Sequence, residues 1–124
     1  MTGRGRGVTG PDRGSATAEL AVGLPALTLF LIVGLAAVSA VTTQLRCLDA
    51  ARDGAQAAAR GEAGTVAARR MAPAGATVTV TVDGDTVRAR VQAPVTPLGR
   101  LLPGLTVAAE AVAAVEPGAP EPVR

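Results

Sequence analysis

From Leu20 to Leu45 the chain carries no charged side chain, and six leucines fall in this run before Thr43, with Val, Phe30 and Ile32 between them. At 1.5 Å of rise per helical residue, about 20 such residues cross a hydrocarbon core of roughly 30 Å. The run therefore reads as one membrane-spanning helix. A single carboxylate, Glu19, stands at its head. On insertion scales a carboxylate in mid-membrane costs roughly 2.5–3.5 kcal/mol, and less near the interface, so Glu19 calls for a partner. Pro25 lies inside the run, where a membrane helix tolerates it as a kink because neighbouring groups can satisfy the freed carbonyl. Ala36, Ala40 and nearby Gly34 form a small-residue side that would let another helix approach.

The flank before the run is basic. Arg4, Arg6 and Arg13 outnumber Asp12, and the glycines and Pro11 of Met1–Gly14 discourage helix. Arginines on this side place the N-terminus in the cytoplasm and export the C-terminal part. An ordinary secretory signal, cut after Ala40 behind Val38-Ser39-Ala40, is the competing reading. The run is longer than an h-region of about 7–15 residues, and an acid at its head is foreign to such a signal. Cys47 does not mark a lipoprotein, since Arg46 precedes it where a small residue is required.

Beyond Thr43 the helix continues outside the membrane. Leu45, Leu48, Ala51, Ala55 and Ala58 recur at three- and four-residue spacings, and Arg46, Asp49, Arg52, Asp53 and Arg60 fill the other side. Gly54, Gly61 and Gly64 each weaken a helix by about 1 kcal/mol relative to Ala, so a break is placed near Gly61–Gly64. A short helix over Thr65–Met71 follows, stopped by Pro73. From Ala76 the period changes to two. Val78, Val80 and Val82 alternate with threonines, and after Asp83-Gly84-Asp85 come Val87, Ala89, Val91 and Ala93 on one parity. Asp-Gly between such runs signals a hairpin, and a turn at Asp83-Gly84 pairs Val80 with Val87 and Val78 with Ala89. Thr96–Gly104 reads as a connection that caps the sheet, and Leu105–Val115 as a third strand.

These spacings give an α+β fold: a long N-terminal transmembrane and amphipathic helix, then a small antiparallel three-stranded β module. The divisions are a basic leader over 1–14, a transmembrane helix over 15–44, an Ala-rich amphipathic helical region over 45–72, the β module over 73–116 and a Pro-rich disordered tail over 117–124. A chain of 124 residues has room for one membrane segment and one small domain.

Several function classes are disfavoured. The chain has no His, and its hydroxyls and carboxylates show no nucleophile–base pattern, so no enzyme activity and no cofactor is expected. Asp83 and Asp85 lack the further oxygen ligands of a calcium loop and read as turn residues. Phe30 is the sole aromatic and the net charge is +2, which argues against nucleic-acid binding. The lone Cys47 excludes an internal disulfide and reads as a small apolar helix residue.

Gly14, Ser15, Glu19 and Pro25, with the apolar run they open, resemble the processing region of type IV prepilins. They are most similar to the TadE family, the minor pilins of tight-adherence pili. The resemblance covers the first third of the chain; the remainder agrees in layout alone. It implies that a membrane-embedded prepilin peptidase cuts between Gly14 and Ser15. It further implies that Glu19 pairs with the freed amine of a neighbouring subunit as helices bundle, in a bilayer shared with other pilins and the assembly platform. The competing classes are a secreted β-rich binding module released by a cleaved signal peptide, and an uncleaved single-pass accessory protein.

Overall fold

A computed structural model describes Gly3, residues 12–96, Leu101 and residues 103–121. Most of the expected leader, Pro97, Leu98 and Leu102 of the expected connection, and the last three residues of the tail lie outside the described residues. The elements run α1 (Asp12–Ala59), α2 (Gly64–Met71), β1 (Thr77–Asp83), β2 (Thr86–Val95) and β3 (Leu105–Ala114). The fold is α+β, with the long apolar helix preceding a three-stranded antiparallel sheet of order β1-β2-β3. The chain divides into two compact units, residues 1–34 and residues 35–124.

In the first unit the described secondary structure is the N-terminal part of α1. It begins at Asp12, so the last three residues of the expected leader are helical rather than disordered. Pro25 is accommodated without interrupting the helix. Its missing N–H leaves the Ala21 carbonyl without its i+4 donor. Polar side chains close on the helix itself: the Thr17 and Thr28 hydroxyls donate to the Arg13 and Leu24 carbonyls at 2.9 Å. Leu20, Val22, Leu24, Leu27, Leu29, Phe30, Leu31 and Val33 are all exposed. A contiguous apolar surface of this kind is foreign to a water-soluble monomer and is the ordinary state of a helix in lipid.

The second unit holds the rest of α1, together with α2 and the sheet. Along α1 the covered stripe runs Ala36, Ala40 and Thr43, half-buried, then Cys47, Ala50, Ala51, Ala55 and Ala58, fully buried. Leu45, placed on this stripe by its spacing, is exposed, and Cys47 opens the stripe's buried part instead. The alanines share one apolar cluster with Val80, Val87, Ala89, Val91, Ala93 and Ala109. In β2, the central strand, Val87, Ala89, Val91, Ala93 and Val95 are buried in strict alternation. The edge strands bury the same parity less completely. Alternation of this kind belongs to an antiparallel sheet with one packed face and one wet face.

Hairpin register differs from the sequence expectation. The pairs are Val82 with Val87, Val80 with Ala89 and Val78 with Val91, closed by Asp83 opposite Thr86. The two turn residues are therefore Gly84 and Asp85, not Asp83 and Gly84. Gly84 takes φ +58°, the left-handed conformation that the first central position of a primed turn requires and that glycine adopts freely. The same faces remain paired, because the slip is two residues in the register sum and the side-chain period is two. The Asp85 carbonyl accepts from the Val115 N–H at 2.7 Å, tying the end of β3 to this turn.

The glycines that weaken the helix reading mark its close contacts. A Cβ on Gly54 would stand 2.8 Å from the Ala68 Cβ, and one on Gly64 would stand 2.6 Å from the Gly54 carbonyl oxygen and 2.7 Å from the Ala58 Cβ. Gly54, Ala58, Gly64 and Ala68 thus let α2 lie against α1 at near-backbone distance. At Gly61 (φ +80°) the Gly61 N–H donates to the Ala58 carbonyl and the Glu62 N–H to the Ala57 carbonyl. This is the Schellman arrangement that ends a helix. Two contacts bring the start of the expected tail and the residue before it against the end of α1. The Glu116 N–H donates to the Ala59 carbonyl at 3.1 Å, and Pro120 packs over Gly61, where any side chain would collide with it.

Candidate functional site

The residues singled out by sequence sit on the first turns of α1. Gly14 and Ser15 are its third and fourth residues, both exposed, and an added Cβ at Gly14 would meet nothing within 4 Å. Glu19 follows one helical turn after Ser15. It lines a shallow open notch with Ala16, Leu20, Gly23, Leu24 and Leu27. The notch exists because Ala16 and Gly23, one turn to either side of Glu19, leave room that larger side chains would fill. Among the described residues the ion pairs are Arg60–Glu62 and Arg88–Glu110, and Glu19 belongs to neither. What the site offers is a carboxylate without a counter-charge among the described residues, beside a small-residue gap, at the head of an apolar rod. Such a group can accept hydrogen bonds from an ammonium or guanidinium brought by another molecule. Pro25 lies six residues further along, between the lining residues Leu24 and Leu27 but not itself part of the lining.

Chemistry elsewhere is sparse. Cys47 is fully buried among alanines and valines, and burial pushes its thiol pKa up. The Arg60 guanidinium is held further above its ordinary value by its hydrogen bond to Glu62 at 3.2 Å and by the charge of that carboxylate. On the outer face of the sheet, Arg88 of β2 pairs with Glu110 of β3. No group of three or more His, Cys, Asp or Glu side chains among the described residues could hold a metal ion.

Sequence reasoning missed the structural contact from the Gln44 Nε2 to the Ala108 carbonyl at 2.8 Å. It joins α1 to β3 just where the apolar run ends. The signal available was Gln44 itself, the first side-chain amide after a run that has none. The Gly54–Ala58 and Gly64–Ala68 pairs carried their own signal too, small residues four apart on two successive helices.

Comparison with known proteins bears on the family of the chain. Residues 14–56, from the Gly14 position to the middle of the Ala-rich stripe, match the TadE-like protein family. The chain is 45% identical over 102 residues to a protein of Mycobacterium tuberculosis described as apoptosis inhibitor Rv3655c. That alignment covers 81% of this chain and 78% of the relative. No solved structure matches. The apolar, lipid-compatible helix and these two similarities lead to one assignment: the chain belongs to the TadE-like family, membrane-anchored proteins associated with the tight-adherence pilus.

Proposed function

We propose that the chain is a minor pilin or pseudopilin-like subunit for assembly of a tight-adherence pilus or a related secretion apparatus. In this reading a prepilin peptidase cuts between Gly14 and Ser15, leaving Ser15 with a free amine four residues before Glu19. The observation that carries it is Glu19, a carboxylate unpaired within the described chain at the head of an exposed apolar helix. In a low-dielectric bundle the amine of one subunit and the carboxylate of the next satisfy each other and fix axial register. The bond to be cut lies in the first turn of α1, where helix ends fray, and Gly14 lowers the cost of opening it by about 1 kcal/mol relative to Ala. The C-terminal unit is then exported while the N-terminus remains cytoplasmic.

The test is the first residue of the mature exported protein, read by N-terminal sequencing. Ser15 supports the proposal. Val41 would replace it with a secreted β-rich module freed by signal cleavage, and Met1 or Thr2 with an uncleaved accessory. Gly14→Leu is expected to leave the precursor uncut. Glu19→Ala is expected to insert normally and fail in assembly; pili formed at the wild-type level by that variant would remove the role given to Glu19. The Mycobacterium tuberculosis relative is named for inhibiting apoptosis. An effector role of that kind fits the released module better than the pilin, and the same sequencing experiment decides between them.

A further inference from the structure

The bond between Gly14 and Ser15 lies inside a formed turn of α1. The helix begins at Asp12, so Arg13, Gly14, Ser15, Ala16 and Thr17 make one continuous helical run. In such a run each N–H donates to the carbonyl four residues before it. The Gly14 carbonyl, one half of the amide to be cut, is thereby engaged by the Ala18 N–H, and the Arg13 carbonyl by the Thr17 N–H. The Thr17 hydroxyl brings a second donor to the Arg13 carbonyl, at 2.9 Å. Arg13 stands on the leader side of the Gly14–Ser15 bond and Thr17 on the mature side. This side-chain bond therefore spans the peptide bond to be cut.

Proteolysis within a folded element follows the population in which that element is locally open, when opening is fast relative to cutting. Two neighbours pull this turn in opposite directions. Gly14 favours opening, because glycine is a poor helix former and its Cβ position is empty space. The Thr17 hydroxyl opposes it, since its bond to Arg13 exists only while the turn is closed. Arg13, Gly14, Ser15 and Thr17 are all exposed, so packing adds little to hold them and hydrogen bonds decide the balance. Thr28 makes the same bond to the Leu24 carbonyl, also at 2.9 Å, about three turns further on. The two threonines are a matched pair of which one straddles the cut.

We infer that the Thr17 hydroxyl is a clasp across the Gly14–Ser15 bond, and that its release sets how fast the precursor is processed. This rests on the reading of Gly14–Ser15 as the processing site. Thr17 is a positioning residue: it acts through the Arg13 carbonyl and touches none of the reacting atoms. In the cut, the oxygen of a water molecule bonds to the Gly14 carbonyl carbon, the C–N bond breaks, and the Ser15 nitrogen leaves as an amine carrying the proton. Arg13 departs with the leader, and the Thr17 hydroxyl loses its acceptor. The clasp thus belongs to the uncut chain alone.

The full-length precursor is placed in membranes with a limiting amount of a prepilin peptidase, and the cut product is timed on gels and sequenced from its N-terminus. Thr17→Val keeps the side-chain shape and a similar helix propensity but loses the donor, and should be cut about two- to fivefold faster than wild type. Thr17→Ser keeps the hydroxyl and should be cut at the wild-type rate. Thr28→Val removes the matched bond away from the cut and should also leave the rate unchanged. A Thr17→Val precursor cut at the wild-type rate or more slowly, while wild type begins at Ser15, overturns the clasp and leaves the processing site standing. Equal changes in Thr17→Ser and Thr17→Val would mean that the peptidase reads the side chain itself, and equal acceleration in Thr28→Val that helix stability at large governs the rate; either result overturns the clasp. If the wild-type chain never yields Ser15, the processing site is wrong and the inference falls with it.

Discussion

Single atoms decide the packing of the C-terminal unit. Gly54 and Gly64 are where α1 and α2 meet with no room for a methyl group. Gly54→Leu is therefore expected to destabilise that unit by about 1–3 kcal/mol through overpacking, read as a lower melting temperature in detergent. The smaller change Gly54→Ala should act in the same direction, even though Ala is the better helix former by about 1 kcal/mol. Cys47 makes the opposite point, a reactive group made inert by place. Its thiol is buried and its ionisation disfavoured, so native protein should resist a thiol reagent that labels it readily after unfolding. The pH consequence follows in sign. A folded-state pKa raised above the unfolded value gives stability that is intact below the ordinary thiol pKa, about 8.5, and lost as pH rises through the folded value. Cys47→Ala should flatten that alkaline decline in a melting-temperature series.

At the scale of elements, the helix and the sheet are joined by few polar bonds. Gln44→Leu removes the side-chain donor to the Ala108 carbonyl and should cost about 1 kcal/mol, measurable by chemical denaturation. Glu110→Ala breaks the ion pair with Arg88 on the exposed face, where solvent screens both charges, and should change stability by less than about 1 kcal/mol. Element positions were legible because each periodicity was clean: the break at Gly61–Gly64, α2 up to Pro73, and three strands with apolar residues on one parity. The hairpin register was not. Both candidate two-residue turns keep the same side chains on the same face, so hydrophobic patterning cannot separate them. The choice falls to backbone geometry, with Gly84 in the left-handed position and Asp85 held by the Val115 N–H.

For the molecule as a whole, the governing quantity is the free energy of placing an uncharged helix in lipid. After alkaline carbonate washing the full chain should remain in the membrane pellet. The double variant Leu27→Arg with Leu31→Arg adds roughly 2.5–3.5 kcal/mol per central arginine and should leave that fraction. Orientation is tested separately: an impermeant maleimide applied to intact cells should label Thr79→Cys if the C-terminal unit is exported, and should fail to do so if it stays inside.

Composition and order alone determined that the described residues hold one helix long and apolar enough to cross a membrane, a lone acid at the head of its apolar run and a single-faced sheet, because charge, period and length are local properties of the string. Gly14, Ser15, Glu19 and Pro25 were singled out in the sequence with the help of the family resemblance, and α1 carries all four near its N-terminal end. Tertiary structure alone decided that Gly54 and Gly64 are contact points rather than weak spots, that Pro120 covers Gly61, and that Gln44 ties α1 to β3. The reason is distance along the chain. Each of these facts joins residues about ten to sixty positions apart, and no window of neighbouring side chains contains the three-dimensional closeness that gives them their meaning.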